Sequence, residues 1–199
     1  MGRHVFGVVA LIFGLAGLAW HDQLQSIWHL PGVAPFIYVT SVAQVIGGIA
    51  IQFRKTARLG ALTLGIVYLL FALTWATRII AQPLVYDRWG NVFERLAFVA
   101  GAMLVYGSAS PSASYAKNIC RAAVILFGIC VVSFTLEQAA YLGPTAALVP
   151  KWLPPSRMFW AAATTIAFAL AAVSILSGYK ALLASRLLTL MLVIFGVVI

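Results

Sequence analysis

Apolar residues in this chain fall in long unbroken runs, not in alternation. Seven runs approach the roughly 20 residues that cross a bilayer as a helix. They cover residues 5–20, 36–53, 59–76, 92–106, 119–136, 158–177 and 181–199. A lipid-facing barrel strand would alternate apolar and polar positions. Continuous runs of this length predict helices instead. The expected fold is therefore all-α, a polytopic transmembrane helical bundle with seven helices in view.

The breaks between the runs repeat. Val149-Pro-Lys-Trp-Leu-Pro-Pro-Ser-Arg-Met-Phe-Trp160 is a Trp- and Pro-rich shelf, and Trp28-His-Leu-Pro-Gly-Val-Ala-Pro-Phe36 is a weaker copy of it. Phe13-Gly14 matches Phe127-Gly128, Leu30-Pro31 matches Leu153-Pro154, Phe36 falls on Phe159, and Arg58-Leu59 falls on Arg186-Leu187. The organisation this predicts is a tandem repeat of four-helix units, 1–115 and 116–199. The second unit lacks its last helix, and an eighth helix after Ile199 is the expectation. Both units run in the same direction, which makes the repeat parallel and not inverted.

Composition strengthens the membrane reading. The chain is 63% hydrophobic and 9% charged, with mean hydropathy +1.03. Soluble domains carry about 25% charged residues. A lipid bilayer is thus the first partner. The first run has Arg3 ahead of an apolar core, like a secretion signal. Its partner in the second repeat is internal, which favours a retained helix.

The net charge of +9 reflects topology. Arg3, Arg54, Lys55, Arg58, Lys117, Arg121, Lys180 and Arg186 lie at the N-terminus and the even connections, where no acid is found. Asp22, Asp87, Glu94 and Glu137 all lie toward the odd connections. Basic loops stay in the cytoplasm. A cytoplasmic N-terminus in the cell's inner (plasma) membrane follows as the expectation. No basic arm or domain of the kind that binds nucleic acid is present.

Candidate chemistry is sparse. Ionisable residues at membrane depth are costly and so are candidates for function. Here they cluster near helix ends, where snorkelling makes them cheap. The candidate outer-face pocket is His21, Asp22, Arg78, Glu94, Glu137 and Trp152, with Arg95 beside Glu94. Asp22 and Glu137 end equivalent helices of the two repeats, and Arg78 and Glu94 flank the third outer connection. Asn91 with Glu94 reads as an N-cap and its N3 partner. Ser156 reads as the N-cap of the sixth helix. Cys120 and Cys130 are about 15 Å apart on one helix, too far for a disulfide, and read as packing residues. No metal set is expected, and the catalytic motifs of nucleotide, haem and zinc enzymes are absent.

The second half resembles the DoxX-like family of bacterial membrane proteins. The residues that carry the likeness are Phe127-Gly128, then Ala147-Leu-Val-Pro-Lys-Trp-Leu-Pro154, Phe159-Trp160 and Arg186-Leu187. It covers about 122–199, and the first half repeats it faintly. The resemblance implies a four-helix bundle and a redox accessory role, since relatives are linked to a thiosulfate:quinone oxidoreductase. Many members carry a His where Thr135-Leu136 stand here, and His21 lies near the corresponding place in the first copy.

Three functions follow. The favoured one is an accessory or structural subunit of a larger respiratory or redox membrane complex, with that complex's subunits as partners. The second is a quinone-linked oxidoreductase component, with quinone as its cofactor. The third is a carrier of lipid or another small molecule. The favoured reading needs no cofactor.

Overall fold

The computed structural model describes residues 2–22 and 33–198. Trp28, His29 and Leu30-Pro31 of the first Trp/Pro shelf lie outside these residues. Eight helices are present among the described residues. They are α1 (Gly2–Ala19), α2 (Val33–Gln52), α3 (Ala57–Ala81), α4 (Tyr86–Ser108), α5 (Ala113–Ala140), α6 (Leu142–Leu148), α7 (Arg157–Ser177) and α8 (Ala181–Val198). Five are long and apolar enough to cross a membrane: α1, α2, α3, α5 and α7. The chain is all-helical over the described residues, and its apolar helices fit a multi-pass membrane protein.

Two expected spans come out differently. The run at 92–106 is helical, but its helix α4 starts earlier, at Tyr86, and carries Asp87, Arg88, Glu94 and Arg95 in its first half. It is not among the five. The run at 181–199 is α8, which is apolar over Ala181–Gly196, a shorter stretch. The short helix α6, Leu142–Leu148, is an addition to the seven expected runs. Pro144 occupies its first turn, where proline costs no intrahelical hydrogen bond.

Contacts group the chain into two units. One comprises Met1–Phe71 and Phe98–Ala123, and the other Ala72–Ala97 and Val124–Ile199. Helices α3, α4 and α5 contribute residues to both.

In the first unit, α1 buries Gly7, Ala10, Gly14 and Gly17. Their spacing of three and four residues puts them on one face, and that face of small residues lets α2 approach closely. A Cβ at Gly48 would stand 2.7 Å from the Gly7 carbonyl oxygen, and one at Gly14 would stand 2.7 Å from that of Ser41. The same device recurs between α2 and α3, where a Cβ at Gly60 would stand 2.7 Å from the Gly47 carbonyl oxygen. Small residues at helix contacts are how helices pack in lipid, where no hydrophobic force drives them together. The core around them holds Ala10, Ile51, Ala61, Leu64, Tyr68 and Val105. Tyr68 stacks on Phe98 at 5.0 Å between ring centroids, with Phe6 edge-on at 6.1 Å. Arg58 donates to the Tyr106 hydroxyl at 2.9 Å and lies over its ring.

In the second unit, Val131 of α5 packs with Phe168, Ala171, Ala172 and Ile175 of α7 and Leu188 of α8. Ser156 caps α7, its hydroxyl accepting from the Phe159 amide at 3.2 Å, as the sequence predicts. The Trp160 indole N–H donates to the Pro154 carbonyl at 2.7 Å, which ties the start of α7 to the shelf before it. Gly178 ends α7 in the left-handed conformation, φ 76°, where glycine carries no Cβ penalty. Cys120 and Cys130 are both free thiols, and Cys130 is buried.

Candidate functional site

The polar residues of the second unit gather where three helix ends meet. The last turns of α3 supply Trp75 and Arg78. The first turns of α4 supply Tyr86, Asp87, Arg88, Asn91, Glu94 and Arg95. The last turns of α5 supply Ser133 and Glu137, and the turn after it supplies Tyr141.

The α3–α4 turn sets the approach. Pro83 cannot continue a helix ladder, and α3 stops at Ala81. The Gln82 amide still reaches the Arg78 carbonyl at 3.1 Å, and the Val85 amide donates to Gln82 at 3.2 Å. Side chains then brace the turn. Trp89 donates from its indole to the Pro83 carbonyl at 3.0 Å, and Arg88 donates to the Gln82 side chain at 3.1 Å. Arg88 also faces Asp87 at 3.4 Å.

Helix α4 docks on the end of α5 and the turn after it through three contacts. The Tyr86 and Ser133 hydroxyls are 3.2 Å apart. The Asp87 amide donates to the Tyr141 hydroxyl at 3.4 Å. Between them, the half-buried Glu137 carboxylate lies against the backbone of Gly90, and a Cβ there would overlap the carboxylate carbon and both its oxygens. Glu137 also feels the negative charges of Glu94 and Asp87. Three of the chain's four acidic residues thus share this region.

The cationic side is built on an indole. The Arg78 and Arg95 guanidinium carbons lie 3.9 and 4.3 Å from the Trp75 ring centre. Such cation–π contacts are worth about 0.5–2 kcal/mol each. Arg95 is further held by the Asn91 carbonyl and by the Asn91 side-chain oxygen at 3.3 Å, and it faces Glu94 at 3.5 Å.

This geometry corrects one expectation. Asn91 and Glu94 do not cap a helix start, because α4 begins at Tyr86. Asn91 is instead one turn inside, and its amide donates to the Asp87 carbonyl at 2.8 Å.

The remaining expected site residues stand as follows. Arg78, Glu94 and Glu137 lie in the second unit with Trp152, which is exposed in the turn after α6. His21 and Asp22 lie in the first unit, paired with each other at 3.2 Å. The His21 ring rests 4.9 Å from that of Tyr38, and Asp22 is exposed. Among the described residues no three of His, Cys, Asp and Glu gather as a metal-binding group.

No family model, curated protein or solved structure matches this chain. The functional reading therefore rests on its own residues.

Sequence reasoning missed Trp75, Gly90, Tyr86 and Tyr141. A glycine inside a helix that also carries charge was the available signal for Gly90. The paired guanidiniums on Trp75 had a weaker one, the separations of three residues between Trp75 and Arg78 and of four between Asn91 and Arg95. Chemically the cluster is a brace. Its charged groups turn onto one another, onto helix carbonyls and onto an indole.

Proposed function

We propose that this chain is an accessory or structural subunit of a larger membrane complex, of a respiratory or redox kind. The observation that carries this is the self-pairing of the polar cluster. Arg95 faces Glu94, Arg88 faces Asp87, and both Arg78 and Arg95 stack on Trp75. Groups spent on mutual contacts hold helix ends together. Large apolar side chains are meanwhile exposed along α7 and α8, among them Ile166, Val173, Leu182, Leu190 and Ile194. Such faces suit lipid or neighbouring helices.

In this reading the protein lies in the bacterial inner membrane with its N-terminus in the cytoplasm, because basic residues without acids mark that side. The polar cluster then belongs to the opposite face. A tandem repeat of units 1–115 and 116–199, and kinship with the DoxX-like family, form part of the same proposal.

A quinone-linked role is the second reading. Glu137 favours it, as a half-buried carboxylate just after the apolar run of α5, and such groups are costly in a membrane unless used.

Purification in gentle detergent, followed by mass spectrometry of all co-purifying proteins and small molecules, separates the two. Stoichiometric partner proteins are the expected result. A lone protein carrying a quinone would overturn the subunit reading in favour of the second.

A further inference from the structure

A slot opens between α7 and α8, entirely within the second unit, with a volume of about 360 Å³. Its walls are apolar, from Leu170 of α7 and Leu187 and Met191 of α8. Ser174 adds a hydroxyl partway along, and Tyr179 and Lys180 stand at one end.

Three features define what fits. The first is length. From Lys180 to Met191 the helix advances eleven residues, roughly 16 Å at the α-helical rise. That is about half the hydrocarbon thickness of a bilayer, the depth of one leaflet. The second is charge. No acidic residue lines the slot, and the first turn of α8 carries none either. Lys180 begins that helix, its carbonyl accepting from the Ala184 amide at 3.0 Å. Its ammonium and the positive end of the helix dipole thus act at the same place, both favouring an anion. The third is the mouth itself. The Lys180 Nζ lies 5.4 Å from the centre of the Tyr179 ring, and tyrosine and lysine side chains both settle at the boundary between lipid tails and headgroups.

We propose that the α7–α8 slot binds an anionic phospholipid, one acyl tail lying along the apolar walls and the phosphate meeting Lys180 and the first turn of α8. An apolar tail satisfies the walls, and a phosphate satisfies the mouth. A zwitterionic lipid offers the same tail with less net attraction. The proposal goes beyond the subunit reading and does not depend on it.

The test uses the full chain in mild detergent, titrated with phosphatidylglycerol or with phosphatidylcholine of the same tails, with bound lipid counted by native mass spectrometry. Phosphatidylglycerol is expected to bind about fivefold more tightly, the effect of one lysine near an anionic headgroup. Lys180→Asn suits the left-handed backbone at that position, φ 50°, and is expected to abolish the preference. Lys180→Arg keeps it, and Lys151→Ala, in a different turn, leaves it unchanged. Ser174→Phe fills the slot and reduces binding of both lipids. Equal binding of the two lipids overturns the proposal, as does a preference that survives Lys180→Asn, or binding unaffected by Ser174→Phe. A dimer that Ser174→Phe dissociates would also overturn it, assigning the slot to a second copy of the chain.

Discussion

Glu137 rests its carboxylate on the backbone of Gly90, at a place where any Cβ would overlap it. The contact joins α4 to α5 between two hydroxyl contacts, Tyr86 to Ser133 and Asp87 to Tyr141. A glycine in a helix interior costs about 0.5–1 kcal/mol relative to alanine. Here that cost is offset by the close approach it permits.

Gly90→Ala should therefore destabilise the protein despite alanine's better helix propensity. Overpacking of this kind costs about 1–3 kcal/mol. Thermal unfolding in detergent, followed by circular dichroism, would show it as a lowered midpoint. In a Glu137→Ala background the added methyl meets space, and the same substitution should cost less than half as much. Equal costs in both backgrounds would mean that the carboxylate does not set the requirement for glycine.

Trp75 carries two guanidinium groups, so its loss should cost more than that of an ordinary half-buried tryptophan. Trp75→Leu keeps an apolar side chain and removes the π face. The expected loss is about 1–4 kcal/mol, taken as two cation–π contacts at about 0.5–2 kcal/mol each. Trp75→Phe should recover part of it, since phenylalanine keeps a weaker face. A double-mutant cycle with Arg95→Met would isolate the pairwise part. Zero coupling would remove the indole as the anchor of Arg95.

What was legible in the sequence follows from the length scale of each signal. Helices α1, α2, α3, α5 and α7 announce themselves through runs of apolar residues. The Ser156 cap was legible too, because it depends on a single residue beside a proline break. The start of α4 was not. Tyr86 to Asn91 is too polar for a span, yet Asp87 suits the positive end of a helix dipole, and the helix extends through it. The candidate site fared similarly. Glu94, Arg78 and Glu137 stood out as charges among apolar runs. Their organisers, Gly90 and Trp75, are ordinary residues whose role appears only when three helix ends meet.

Ser156→Ala should lower stability by about 1 kcal/mol, a typical value for losing an N-cap oxygen. The cap is local, so the cost should appear as fraying at the start of α7. Hydrogen exchange at the Phe159 amide would rise, while amides at Ala171 and Ala172 in the buried middle of α7 should be unaffected. A Ser156→Asp variant restores an acceptor and places a negative charge at a helix N-terminus, and it should recover most of the loss. Unchanged exchange at Phe159 in the alanine variant would show that another group satisfies that amide.

Gly48 of α2 and Gly143 of α6 allow a prediction of opposite signs within one chain. Gly48 faces the Gly7 carbonyl oxygen and the backbone nitrogen of Leu11, at 2.7 and 3.0 Å from where a Cβ would stand. Neither neighbour is a flexible side-chain tip, so neither can move aside without shifting α1. Gly143, in α6, has nothing within 4 Å of such a Cβ. Gly48→Ala should therefore push α1 from α2 and cost about 1–3 kcal/mol. Gly143→Ala should be neutral or stabilising by up to about 1 kcal/mol, the helix-propensity gain. Unfolding midpoints of the two variants, measured in the same detergent, give the comparison. If Gly48→Ala also raises stability, propensity outweighs packing at that contact, and the α1–α2 interface does not depend on close backbone approach.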